Sequence, residues 1–155
     1  MLTKQEIYNR VIDHFLTMEH GAINPDNNAC VYRMKDKSKG CFVGALMDDN
    51  MYHPDFEGQG VALILNEGLA SKLGDTLCEL GTDEAGEVAT KFMEYVGYDN
   101  GDFLDHLQTI HDYCALDGDH PYWRSRVSKE LIKIVEDNNG LAPYKKEELQ
   151  AVRQS

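Results

Sequence analysis

Apolar side chains recur at helical spacing through most of this chain, and that pattern constrains its fold more than any other feature. The clearest stripe, with spacings of four, four and three residues, consists of Ile7, Val11, Phe15 and Met18. Such spacing places these side chains on one face of a helix. Thr3 and Glu6 precede the stripe as a capping box, so the sequence predicts a helix over residues 3–19.

The same spacing, interrupted by glycine-containing breaks, predicts further helices. Their ranges are about 61–80, 83–96, 102–115 and 120–138. A short C-terminal helix is predicted over residues 143–152, with Pro143 near its first turn, where proline is tolerated. These helices account for most of the chain.

One segment departs from the helical pattern. Residues 29–46 contain two apolar runs, Cys30–Met34 and Cys41–Leu46, on either side of a polar turn. The valine, tyrosine and phenylalanine in them favour pleated structure. The sequence therefore predicts an α+β fold: a mostly helical single domain spanning residues 1–155, with one small antiparallel β-hairpin over 29–46 and a loop over 47–60.

The charge of the chain is strongly negative and unevenly distributed. The formal net charge is -12. Between Asp75 and Asp119 there are twelve acidic residues and one basic residue, Lys91, a difference of eleven negative charges. Because phosphate backbones require the opposite sign, direct nucleic-acid binding is disfavoured, and a partner with a basic surface, or a cation, is favoured. The alternative is that the acidic region only keeps the protein in solution.

The sequence contains no apolar run of the ~20 residues needed to cross a bilayer. The N-terminal residues are polar and lack the apolar core of a secretion signal. We therefore expect no membrane contact and a cytoplasmic location. The pattern does not indicate an oligomeric state.

No complete catalytic motif is present. The chain lacks a phosphate-binding loop, a nucleophile elbow and the H-E-x-x-H pattern. The remaining catalytic candidates are His111 and Asp112, which could serve a metal-dependent hydrolase if a second helix supplied further ligands. The alternative is a half-buried structural histidine. Cys41 is expected to pack inside the fold rather than act as a nucleophile. The sequence thus predicts no metal and no cofactor.

Aromatic and basic residues near the predicted hairpin suggest a binding site. The candidate ligand-binding residues are Tyr32, Arg33, Tyr52, His53, Phe56 and Trp123. With Lys35, Lys37 and Lys39 in the turn, they could stack on a base and contact phosphate. The alternative is that the rings close the open side of a small core.

The segment from Cys30 to Gly58 resembles a group of uncharacterised small proteins of tailed phages and bacteria. The matching residues are Cys30, Tyr32, Arg33, Cys41, Gly44, Leu46, Asp48, Tyr52, Pro54, Phe56, Glu57 and Gly58, together with the later run Leu107–Asp112. The turn at residues 35–40 departs from the glycine-proline type expected in that group. The resemblance implies a phage accessory protein that acts in the host cytoplasm.

Three functions follow from these observations as hypotheses. The first is a non-enzymatic acidic binding protein that acts on a host protein, such as an inhibitor or a nucleic-acid mimic. The second is a protein that binds or sequesters a small ligand or nucleotide. The third is a metal-dependent hydrolase.

Overall fold

The computed structural model describes residues 1–24, 26, 31–72, 83–116, 122–138 and 140–154. Its α-helices are α1 (Lys4–Thr17), α2 (Phe42–Ala45), α3 (Val61–Lys72), α4 (Asp83–Val96), α5 (Gly101–Leu116), α6 (Trp123–Asp137) and α7 (Lys146–Gln154). Single-turn 3-10 helices occupy Asp49–Met51, Pro54–Phe56 and Tyr98–Asn100.

Helix α1 forms where its capping box and apolar stripe predict it. The Thr3 hydroxyl accepts a hydrogen bond from the Glu6 N–H at 3.1 Å, which satisfies one of the free donors of the first turn. Ile7, Val11 and Phe15 are all fully buried, so the stripe faces the core. Helices α2, α3, α5 and α6 share that core with α1.

Helices α3 and α4 pack closely because Gly68 has no side chain. A Cβ at Gly68 would lie 3.0 Å from the Ala89 carbonyl oxygen and 2.8 Å from the Met93 Cγ. The Thr90 hydroxyl donates to the Gly68 carbonyl at 3.2 Å. Helix α7 packs on α6.

The predicted β-hairpin over residues 29–46 is wrong, and with it the α+β class. The described part of the chain is mostly helical and contains no β-strand. An isolated antiparallel bridge between Arg33 and Lys39 closes the turn. The predicted second strand is instead the short helix α2. Residues 29 and 30 lie outside the described ranges.

The hairpin prediction failed because a segment buried on all sides is apolar throughout. It therefore lacks the alternation of apolar and polar residues that distinguishes a half-buried strand. Every residue from Cys41 to Met47 is buried, so the apolar run carries no period. Gly44 also lies directly against the preceding turn: a Cβ there would be 2.3 Å from the Tyr32 carbonyl oxygen. Only glycine allows the backbone of α2 to approach the backbone of Tyr32 this closely.

Apart from α2, the observed α-helices lie where the sequence predicts them, but several begin or end at different residues. Helix α3 extends to Lys72, and residues 73–80 of the predicted helix lie outside the described ranges, as do residues 120 and 121. Helix α7 begins at Lys146 rather than 143, because Pro143 and Tyr144 belong to the connection from α6. No helix among the described residues combines the length and apolar character required to span a bilayer.

Candidate functional site

The segment between α2 and α3 folds back onto residues 32 and 33 and forms what we call the loop cluster: Tyr32, Arg33, Tyr52, Phe56 and Glu57. Pro54 opens a 3-10 turn in this segment, because its fixed φ suits a first helical position. That turn carries Phe56 into the core, where its ring centroid lies 6.5 Å from Tyr32 and 6.3 Å from Tyr52.

The Glu57 carboxylate is the polar centre of the loop cluster. One oxygen accepts the backbone N–H of Tyr32 at 2.9 Å. The other accepts the backbone N–H of Arg33 at 3.1 Å and the Tyr52 hydroxyl at 2.8 Å. Hydrogen bonds to an ionised acceptor are stronger than neutral ones, so Glu57 fastens the loop to the turn.

The Arg33 guanidinium is also used inside the molecule. It donates to the Met47 carbonyl at 2.6 Å and lies 5.4 Å from the centre of the Tyr52 ring. Its side chain is only 8% exposed. Asp49, 3.5 Å away, is fully exposed, so this ion pair contributes little to stability.

Tyr52 and His53 both make polar contacts at this loop. Burial raises the pKa of the Tyr52 phenol well above its usual range, and the hydrogen bond and negative charge of Glu57 raise it further, while Arg33 lowers it. Tyr52 therefore remains a donor. His53 Nδ1 accepts the Asp55 N–H at 3.1 Å, and its Nε2 lies 3.9 Å from the Glu84 carboxylate on α4.

A second group of aromatic and polar residues, the inner cluster, surrounds His111 on α5. His111 is fully buried, and its Nε2 accepts the Ala22 N–H at 3.0 Å. Its Nδ1 must then carry the proton of the neutral ring, which it donates to Asp112 at 2.8 Å. Phe42 and Trp123 flank the imidazole, with centroids 5.1 and 5.7 Å away.

Gln108 completes the polar contacts of the inner cluster. Its amide oxygen accepts the Val43 N–H at 3.1 Å, and its amide nitrogen donates to Asp112 at 2.7 Å. The Trp123 indole N–H donates to the His111 carbonyl at 3.2 Å. These buried groups satisfy one another, an arrangement typical of a network that specifies a core.

His14 on α1 is a second histidine that is partly buried. Its Nε2 contacts the Gly40 carbonyl oxygen at 2.6 Å. Burial lowers the pKa of His14, the hydrogen bond to the Gly40 carbonyl raises it, and the positive charge of Lys39 lowers it further. The imidazole is therefore held mainly neutral at neutral pH.

Carboxylates line the exposed faces of α4 and α5, and we call these the acidic stripes: Glu84, Glu87 and Glu94 on α4, and Asp102 and Asp105 on α5. All five are exposed. Glu84 lies near His53. No basic nitrogen of a described residue lies within 4.0 Å of the other four carboxylates. Four acids of the predicted acidic region, at positions 75, 79, 117 and 119, lie outside the described ranges.

No group of three or more histidine, cysteine, aspartate or glutamate side chains in the described ranges could hold a metal ion. A cleft does open elsewhere, between α6 and the residues preceding and beginning α7. Its lining consists of Tyr8, Ile132, Val135, Glu136, Pro143, Tyr144, Lys146 and Leu149. None of the predicted site residues contributes to it.

The structure thus brings together five of the six predicted ligand-binding residues and separates the sixth. Tyr32, Arg33, Tyr52 and Phe56 form the loop cluster, and His53 lies at its edge, with its ring 6.3 Å from Phe56. Trp123 lies in the inner cluster, beside the catalytic candidates His111 and Asp112.

The sequence interpretation missed two residues that organise these clusters. Glu57 matched the resemblance but was not singled out as a site residue. Gln108 precedes His111 and Asp112 by three and four positions, a spacing that places them together on one helix face. That spacing was the available signal.

Comparisons with protein-family models, with curated proteins and with solved structures found no match.

Proposed function

We propose that this chain is a non-enzymatic binding protein of the phage accessory type, whose acidic stripes bind a basic surface of a host protein in the host cytoplasm. The observation that supports this most directly is the set of exposed carboxylates at Glu87, Glu94, Asp102 and Asp105, none of which has a basic partner among the described residues. Unpaired exposed charges are available to an external partner.

The buried clusters favour this function over the two alternatives. A hydrolase would need an accessible imidazole, whereas both ring nitrogens of His111 are engaged and the residue is fully buried. A nucleotide binder would need a free guanidinium and an accessible ring. Arg33 is engaged by Met47 and Tyr52, and Tyr32 is fully buried.

The physical advantage of the acidic stripes is long-range attraction. A surface with one sign of charge accelerates encounters with a surface of the opposite sign, and salt weakens this effect. A host surface built to bind nucleic acid is basic, so it has the required charge. The bound complex would block that surface, as an inhibitor or a nucleic-acid mimic does.

The test is a pull-down from bacterial lysate, followed by titration of the captured protein at low and high salt. The stripe variant carries Glu87→Gln, Glu94→Gln, Asp102→Asn and Asp105→Asn. The control variant removes the same number of exposed charges elsewhere, through Glu19→Gln, Asp48→Asn, Glu136→Gln and Asp137→Asn.

Four exposed charge pairs at about 0.5 kcal/mol each amount to ~2 kcal/mol, or roughly a 30-fold weaker Kd for the stripe variant. The control variant should retain most of the affinity, and high salt should weaken binding of the unmodified chain. Capture of no partner, affinity indifferent to salt, or equal losses in both variants would contradict the proposal.

A further inference from the structure

The turn at residues 34–39, which we call the basic turn, is closed by hydrogen bonds of its own. The Met34 N–H donates to the Ser38 carbonyl at 2.9 Å, and the Lys37 N–H donates to the Met34 carbonyl at 2.9 Å. One carboxylate oxygen of Asp36 accepts the Ser38 N–H at 3.0 Å and the Ser38 hydroxyl at 2.5 Å. The backbone of the basic turn is therefore arranged before any partner arrives.

The basic turn exposes three lysines, Lys35, Lys37 and Lys39. None of them forms an ion pair with a described residue. The Lys39 ammonium donates to the Ala45 carbonyl at 2.8 Å, which holds this charge beside the end of α2. The acid of the turn, Asp36, is already engaged within it. Lys35 and Lys37 thus have charges that no described carboxylate neutralises.

The backbone conformation of Lys37 is one that stability does not explain. Its φ is 67°, in the left-handed region that glycine and asparagine adopt more readily than lysine. Its side chain is exposed, so packing does not select a lysine here. Residues in unfavourable backbone conformations are concentrated at functional sites. The charge of Lys37 therefore calls for a reason other than the folding of the turn.

The basic turn is a small positive area on a strongly negative molecule. Residues 33–39 contain four basic residues and one acidic residue, a net charge of +3. The rest of the chain then carries -12 minus +3, or -15. A long polyanion, such as a nucleic acid or an anionic membrane surface, would extend beyond the turn and be repelled by the remaining surface. A short anionic segment avoids most of this repulsion.

An apolar side chain lies among these charges. Met34 is 38% exposed, and it stands between Arg33 and Lys35 in the sequence. Methionine is flexible and polarisable, so it adapts to varied apolar partners. A partner segment with one apolar side chain among its carboxylates would cover Met34 while its charges approach the lysines. Acidic segments of proteins have this mixed chemistry, whereas a phosphate chain does not.

We propose that the basic turn is a second binding surface, which binds a short acidic segment of a partner protein. Carboxylates of that segment accept hydrogen bonds from the ammonium groups of Lys35 and Lys37, and an apolar side chain of the segment packs on Met34. Because the backbone of the turn is already arranged, binding does not have to order it. This surface shares no residue with the acidic stripes, so either proposal can fail without the other.

The test titrates the full chain into a fluorescently labelled synthetic peptide of aspartate and glutamate around a central leucine, followed by fluorescence anisotropy. The turn variant carries Lys35→Gln and Lys37→Asn; asparagine suits the left-handed conformation, so the turn should keep its shape. The control variant removes two exposed charges of α6, through Lys129→Gln and Lys133→Gln. Loss of two exposed charge pairs should weaken binding by the turn variant about fivefold, and the control variant should bind like the unmodified chain.

Nuclear magnetic resonance on the isotope-labelled, unmodified chain locates the peptide without any substitution. The peptide should shift the amide signals of residues 34–39 and leave those around Lys129 and Lys133 unchanged. A peptide with serine in place of leucine should bind about threefold more weakly, because Met34 then lacks an apolar partner. The proposal would be overturned by equal losses in the two variants, by shifts dispersed over the surface, by equal binding of the serine peptide, or by tighter binding of a single-stranded oligonucleotide than of the peptide.

Discussion

Among the partly exposed residues of the loop cluster, Glu57 is the one whose replacement should destabilise the cluster most. Glu57→Ala leaves three donors without their acceptor: the backbone N–H groups of Tyr32 and Arg33 and the hydroxyl of Tyr52. Each hydrogen bond to a charged acceptor is worth about 1.5–3 kcal/mol when buried. Because this site is only partly buried, about 1 kcal/mol each is appropriate, so the free energy of unfolding should fall by ~3 kcal/mol.

The loss is measurable by urea unfolding, followed by far-UV circular dichroism and extrapolated linearly to water. For a chain of this size, the same loss lowers Tm by roughly 6–12 °C. Glu57→Gln keeps one acceptor oxygen and should lose less. Asp49→Asn changes a fully exposed acid 3.5 Å from the same arginine and should cost under about 0.5 kcal/mol.

The comparison between Glu57→Ala and Asp49→Asn decides the matter. If the two variants lower the free energy of unfolding equally, the Glu57 carboxylate is not the fastening described above. Equal losses of unfolding free energy in Glu57→Ala and Glu57→Gln would also contradict the hydrogen-bond count, since the glutamine retains an acceptor.

Two further predictions concern the packing of the turn and the titration of the core. Gly44→Ala should lower the free energy of unfolding by about 2 kcal/mol or more in urea unfolding, because its Cβ would collide with the Tyr32 backbone. Gly86→Ala has open space around its Cβ and should raise the free energy of unfolding by about 0.5–1 kcal/mol through the better helix propensity of alanine in α4. Similar effects of the two variants would refute this. Because the pKa of His14 is lowered in the fold, its contribution to stability should be complete above the unfolded value of 6.5 and decline as pH falls below it. His14→Gln keeps a donor for the Gly40 carbonyl but cannot titrate. The urea midpoint of this variant should therefore vary less with pH between about 7 and 5.5 than that of the unmodified chain, and an equal pH dependence would contradict this.

The helices were predictable from the sequence because each depends on local signals. The α1 capping box and stripe lie within sixteen residues of one another, and no distant contact alters them. The segment from Cys41 to Met47 was different, since its conformation depends on contact with Tyr32 and on burial by α1 and α5. Strand propensity gave the wrong answer there, because tertiary contacts override intrinsic preference in a short buried run.

The candidate residues were predictable as a list but not as a geometry. Loop position placed Tyr52, His53 and Phe56 together, and residue type drew attention to Arg33. No local rule shows that a carboxylate twenty-four residues later would accept the Arg33 N–H. The same limit applies to His111, whose acceptor role depends on Ala22, eighty-nine residues earlier in the chain.

Trp123 is the single tryptophan of the chain, and its position makes it a selective optical probe. Its indole contacts the imidazole of His111 and the ring of Phe15, whereas the aromatic residues of the loop cluster are tyrosines and a phenylalanine. Intrinsic emission excited at the tryptophan band should therefore report on the α5–α6 interior alone. All eight tyrosines contribute to the tyrosine band, so a change there that leaves the tryptophan emission constant would identify a rearrangement outside this interior.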